Sequence, residues 1–367
     1  MSETILQKKM SYLTLGLVAL LSTISDSALA QNQDTYSTDI GTPSLEDRIL
    51  SEPAERRDGQ YWTFNLENDF FGSEGQDQNY TNGARISYHD AALNLPGWAR
   101  NLGEIYPGFR INDTTAVTYS LGQNLYTPAD ITTTTPDPDD RPYAGWLYGS
   151  IGMTTITDNH EDQVELALGV VGPAALGKQT QNFVHNHITT GADDPQGWDS
   201  QLDNEPGLIL SWSREYPDLW STDIAEKLYM SLAPSVGTSL GNVYTLAQAG
   251  LGFRIAPYAE RYADLPARVR PSVPGTGYFP KATGGWSWGL FGGVTGYAVA
   301  RNIFLDGNTW ENSPSVDKKP FVYDTSAGLD VILGDNRVSY TMTRRSKEFD
   351  GQDDESYFGS LSYTRRF

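Results

Sequence analysis

From residue 61 onward, apolar and polar side chains alternate along this chain with a period of two, the period of a strand whose faces meet different surroundings. Trp62, Phe64 and Leu66 share one parity against Thr63, Asn65 and Glu67, and Tyr80, Ala84, Ile86 and Tyr88 oppose Thr81, Gly83, Arg85 and Ser87. The pattern returns in twelve segments, near 61–68, 80–88, 114–126, 143–156, 163–171, 207–213, 227–237, 244–256, 286–304, 321–332, 336–345 and 355–367. Gly334-Asp335-Asn336 is a tight-turn signal between two of them.

Three stretches break the period. Residues 1–30 hold Lys8 and Lys9, an apolar run from Tyr12 to Leu21, and Ala28-Leu29-Ala30, which predicts a secretory signal cleaved after Ala30. Residues 31–59 are polar, carry Pro43 and Pro53, and predict an exposed extension ahead of a folded body over 60–367. After the fifth segment, a stretch opening at Pro173 and fading near Gly191 predicts a short helix. Lys178, Gln181 and His185 fall on one face of it.

Composition narrows the class. The 367 residues include no cysteine, so no disulfide framework exists. Hydrophobic residues make up only 38%, and the mean hydropathy of −0.44 suits either an aqueous fold or a barrel whose polar lumen dilutes its apolar face. Export, alternation and the lack of an apolar 20-mer favour an all-β fold, a transmembrane antiparallel β-barrel of about twelve strands in the bacterial outer membrane, over a soluble sandwich. The net charge of −20 opposes nucleic-acid binding and suits divalent cations at acidic loops. With both ends of the body on the periplasmic side, loops 69–79, 127–142, 172–206, 238–243, 305–320 and 346–354 face outward. The opposite connections 89–113 and 257–285 exceed the short turns expected there.

The outward loops hold the suggestive chemistry. Residues 68–79 concentrate turn formers and oxygen ligands of the kind a hard cation takes. His185, one of four histidines, lies in the helical loop with Asp193, Asp194 and Asp203, and imidazole titrates near neutral pH, so it is a candidate general base. Gly237-Thr238-Ser239-Leu240-Gly241 has the spacing of a nucleophile elbow, but a strand follows where that motif needs a helix.

Taken together, NLENDFF, NYTNGARISY, DDRPYAGWLY, GVVGP, TQNFVH and GWDSQLDNEP resemble the outer-membrane lipid A 3′-O-deacylase family over nearly all of the chain from Tyr61. The resemblance implies a Ca²⁺-dependent esterase that removes the 3′-acyloxyacyl group of lipid A, the anchor of lipopolysaccharide. It implies Asn68, Asp69, Thr81, Gln181 and His185 as catalytic residues. Arg141 matches a basic residue of the family, and with Lys178 is a candidate partner of the lipid A phosphates. Asn68 and Asp69 become candidate Ca²⁺ ligands, joined by Asp193 or Asp194 where the family has an acid shortly after the histidine. The alternatives are a non-enzymatic porin or adhesin and a barrel phospholipase. A conflict of parity accompanies the resemblance: Asn68 continues the lipid-facing set of Leu66, whereas Thr81 continues the lumenal set of Arg85. Only a bulge in a rim strand lets the two converge on the outer wall, where the family's site lies.

Overall fold

The alternating segments close into a barrel. The computed structural model describes residues 44–51, 59–69, 79–91, 109–187, 194–217, 219–257 and 285–367, with a few single positions between them. The signal and its cleavage site lie outside the described residues. The strands are β1 (Gln60–Asn68), β2 (Asn79–Asp90), β3 (Ala116–Thr127), β4 (Ala144–Ile156), β5 (Glu161–Val171), β6 (Glu205–Glu215), β7 (Trp220–Ala225), β8 (Leu228–Gly241), β9 (Tyr244–Pro257), β10 (Trp286–Asn302), β11 (Phe321–Leu333), β12 (Asn336–Arg345) and β13 (Ser356–Arg366).

Chain neighbours pair antiparallel, β13 returns to β1, and β6 pairs with β8, so no sheet edge remains along most of the wall. β6 lies along Ser235–Gly241 of β8 and β7 along Leu228–Leu232 of the same strand. They are therefore one barrel position interrupted after Glu215, where Pro217 has no N–H for the ladder. Twelve positions result, as the alternation predicts. The 220–225 piece escapes a period-two reading because nearly all of it is exposed.

Burial follows parity. Phe64, Leu66, Leu121, Leu168, Leu251 and Leu290 stand exposed on the outer wall, as a lipid-facing band requires. Thr63, Asn65, Glu67, Arg85, Glu165 and Asp330 are buried on the other side. The lumen is filled by paired charge: Arg85 meets Glu165 at 3.0 Å, Arg254 and Arg337 both meet Asp330 at 3.1 Å, and Arg345 meets Asp324 at 3.0 Å and Glu348 at 3.1 Å. Such charges persist without water only when matched. A porin needs an open polar passage, and packed ion pairs occupy that space.

The extension ahead of β1 departs from the expected exposed segment. Leu45–Ser51 form a helix, α1, in which Leu45 and Ile49 lie one turn apart and are both buried. Its Leu45 N–H donates to the Asp158 carbonyl at the turn between β4 and β5. Val269, one of the described residues in the long connection between β9 and β10, is inside the barrel. The Val269 N–H donates to Glu67 Oε1 at 3.1 Å, and its carbonyl accepts from the Tyr148 hydroxyl at 3.0 Å.

Candidate active site on the outer wall

Asn68 ends β1 on the parity of Leu66, yet Leu66 is 50% exposed and Asn68 only 8%, so something covers the wall at this height. A helical element from the loop after β5 lies on the same outer wall. A short 3-10 turn, Pro173–Ala175, is followed by Leu176 in the left-handed region (φ 61) and then by helix α2, Gly177–His187. The Gln123 side chain donates to the Ala175 carbonyl at 2.6 Å. A Cβ built on Gly145 would come within 3.2 Å of Ala175 and 3.4 Å of the Gly177 backbone. Gln123 and Gly145 sit on lipid-facing positions, so α2 lies against the outside of the barrel. Glycine at 145 permits the close approach.

Gly177, Gln181 and His185 form the buried stripe of α2, four residues apart, while Phe183 on the other face is exposed. Trp198, from the returning segment, lies over Gly177 and donates its indole N–H to Gln181 Oε1 at 2.7 Å. With Leu125, Ile131 and Tyr143 it makes a small apolar cluster that fastens the helix to β3 and β4. Periodicity gives no special status to Trp198; its only signal was its place in GWDSQLDNEP.

The parity conflict resolves in the backbone. The register of β2 against β3 shifts between Tyr80 and Asn82, leaving Thr81 as the extra residue of a β-bulge. Asn79, just before it, takes a left-handed conformation (φ 69) that asparagine tolerates. Thr81 consequently shares a side of the wall with Asn68. The Asn68 amide donates to the Thr81 carbonyl at 3.0 Å, and the Thr81 and Thr127 hydroxyls are 2.6 Å apart. Asp69 follows Asn68 and is buried. Thr127 is a member that sequence reasoning missed, since a threonine at a strand end carries no signal of its own.

One assignment needs correction and one falls outside the described residues. Arg141 does not face the lipid: it is buried in the upper lumen, paired with Glu348 at 3.4 Å and flanked by the Tyr126 and Phe349 rings at 5.2 and 6.0 Å. A guanidinium enclosed there cannot reach a phosphate in the leaflet. Asp194 is exposed on the segment leading to Trp198, while Asp193 lies outside the described residues. Lys178 sits at the edge of the buried stripe of α2, with an exposed partner, Asp199, at 2.8 Å.

Among the described residues no three histidine, aspartate or glutamate side chains gather closely enough to hold a metal by themselves. The donor set at the strand ends is nonetheless all oxygen apart from the amide nitrogen: the Asn68 carboxamide, one buried Asp69 carboxylate, and the Thr81 carbonyl and hydroxyl. Neutral oxygens with a single carboxylate fit Ca²⁺, which accepts irregular shells, and do not fit zinc.

A barrel with buried, paired charge inside, a polar patch at Asn68 and Thr81 on its lipid-facing wall and, on the same wall over β3 and β4, a helix that buries a histidine has the make-up of a membrane-embedded barrel enzyme. The sequence matches the family described as "Outer membrane protein LpxR" over residues 16–367. The chain belongs to that family of lipid A 3′-O-deacylases and is an outer-membrane hydrolase. The solved structure of LpxR from Salmonella typhimurium shares the fold, with a TM-score of 0.69 at 18% identity over 84% of this chain and 100% of that one. The β domain of the Bordetella autotransporter BrkA matches with a TM-score of 0.40 at 11% identity, over 84% of this chain and 100% of its own. A search of curated proteins found no match.

Proposed function

We propose that the patch of Asn68, Asp69 and Thr81, roofed by Gln181 and His185, hydrolyses the 3′-acyloxyacyl ester of lipid A with Ca²⁺ bound. The observation that carries this reading is the bulge at Thr81, which turns a residue of lumenal parity onto the wall that α2 covers. His185 is buried on the helix face that meets this wall and takes the proton of the attacking water. Gln181, one turn earlier and held by Trp198, keeps that helix face in place. Thr81 and Asn68 orient the ester carbonyl, and Asn68, Asp69 and the Thr81 carbonyl are the oxygens suited to hold the ion, with Asp193 or Asp194 as a further carboxylate. Bound Ca²⁺ supplies electrostatic stabilisation where negative charge develops on the carbonyl oxygen. Lys178, whose exposed ion pair contributes little, is the cation suited to a lipid A phosphate.

Mass spectrometry of lipid A from cells expressing the chain tests the reading. The wild type should remove the acyloxyacyl mass at the 3′ position, and His185→Ala should leave it in place while the barrel keeps its heat-modifiable migration. Deacylation that persists in His185→Ala would sink the assignment. For the ion, chelator should stop turnover by the purified protein and Ca²⁺ should restore it; turnover indifferent to chelation removes the metal from the reading.

A further inference from the structure

Glu67 and Tyr80 stand immediately before Asn68 and Thr81 in the chain, and both point through the wall to the lumen. The Tyr80 hydroxyl donates to Glu67 Oε2 at 2.8 Å and accepts from Asn124 Nδ2 at 2.9 Å. Its ring packs edge-on against Phe358, with centroids 5.2 Å apart. The hydroxyl has room only because residue 83 is glycine, since a Cβ there would lie 2.0 Å from the oxygen. The other Glu67 oxygen holds the Val269 N–H, so the inserted connection braces the same carboxylate.

The register slip that makes Thr81 the extra residue falls between Tyr80 and Asn82. In an unslipped strand, Asn82 facing outward would put Thr81 in the lumen and Tyr80 against lipid. The inward anchoring of Tyr80 and the outward presentation of Thr81 are therefore one backbone arrangement. We propose that Tyr80, held from the lumen by Glu67 and Asn124, is a positioning residue for deacylation, pinning the bulge that presents Thr81 to the outer wall. This rests on the outer-wall reading of the site.

The test uses the full chain, purified and folded in detergent with lipid A as substrate, and follows kcat, KM and heat-modifiable migration. Tyr80→Phe should lower kcat by about tenfold to a hundredfold with KM close to wild type, the size of effect expected from a small misplacement of a positioned group. Glu67→Gln, which still accepts a hydrogen bond, should keep most activity, and Glu67→Leu should fall with Tyr80→Phe. Tyr297→Phe, whose hydroxyl serves Asp324 on the far wall at 3.3 Å, should match wild type. Wild-type kcat in Tyr80→Phe beside an inactive Thr81→Ala overturns the proposal and leaves the site standing. Full activity in Thr81→Ala removes the site reading and the proposal with it. Equal losses in Tyr80→Phe and Tyr297→Phe would assign the effect to general lumenal packing and overturn the proposal. Should Tyr80→Phe lose its folded migration, the Glu67 pair decides, and equal activity of Glu67→Gln and Glu67→Leu overturns it.

Discussion

At the scale of single residues, the hydroxyl of Thr81 and its 2.6 Å contact with Thr127 are what the bulge brings to the outer wall. Thr81→Ser keeps that hydroxyl and should stay within a few-fold of wild-type turnover. Thr81→Val keeps the shape without it and should lose about tenfold to a hundredfold in kcat, the range for removing one oriented polar group from a site; equal kinetics of the two variants would show that the hydroxyl is idle. The sequence exposed the conflict between Asn68 and Thr81, because parity can be counted. It did not reveal where the strand slips, because the slip depends on Tyr80, Glu67 and Asn124, which meet only in the folded barrel. Arg141 was misread for a related reason: a basic residue in an outward loop has two sides of the wall open to it, and Glu348, which draws it inward, lies far along the chain.

At the scale of elements, α2 was legible from Pro173 and from the spacing of Gln181 and His185, since a helix on a wall needs one buried stripe. Its seat was not, because Gly145 reads in sequence as one more strand glycine. Gly145→Leu should lift α2 from β4 and cut turnover about a hundredfold, as for displacement of positioned groups by an ångström or more. The loop between β5 and β6 should become protease-sensitive while the barrel keeps its folded migration, and a protected loop with normal turnover would refute the docking. The sixth position shows the opposite limit. Its lower half, β7, is almost entirely exposed, so nothing in its polarity distinguishes a strand from a linker, and only pairing with Leu228–Leu232 reveals it.

At the scale of the molecule, alternation predicted the barrel because a closed wall between two unlike media sorts its residues by parity along every strand. It said less about the interior, where the pairing of Arg345 with Asp324, or of Arg254 and Arg337 with Asp330, depends on closure. Asp324→Ala leaves the buried Arg345 guanidinium with Glu348 as its one remaining carboxylate of the two, and breaking a buried pair costs up to about 3–5 kcal/mol. The temperature at which the folded band disappears on electrophoresis should drop clearly, and an unchanged temperature would show that water already reaches this charge. The packed interior also fixes how substrate arrives. A lipid can reach the outer wall only sideways, by diffusing within its own leaflet. Encounter is then two-dimensional, and turnover should track the mole fraction of lipid A in the surface and fall when an inert amphiphile dilutes it at constant total lipid A.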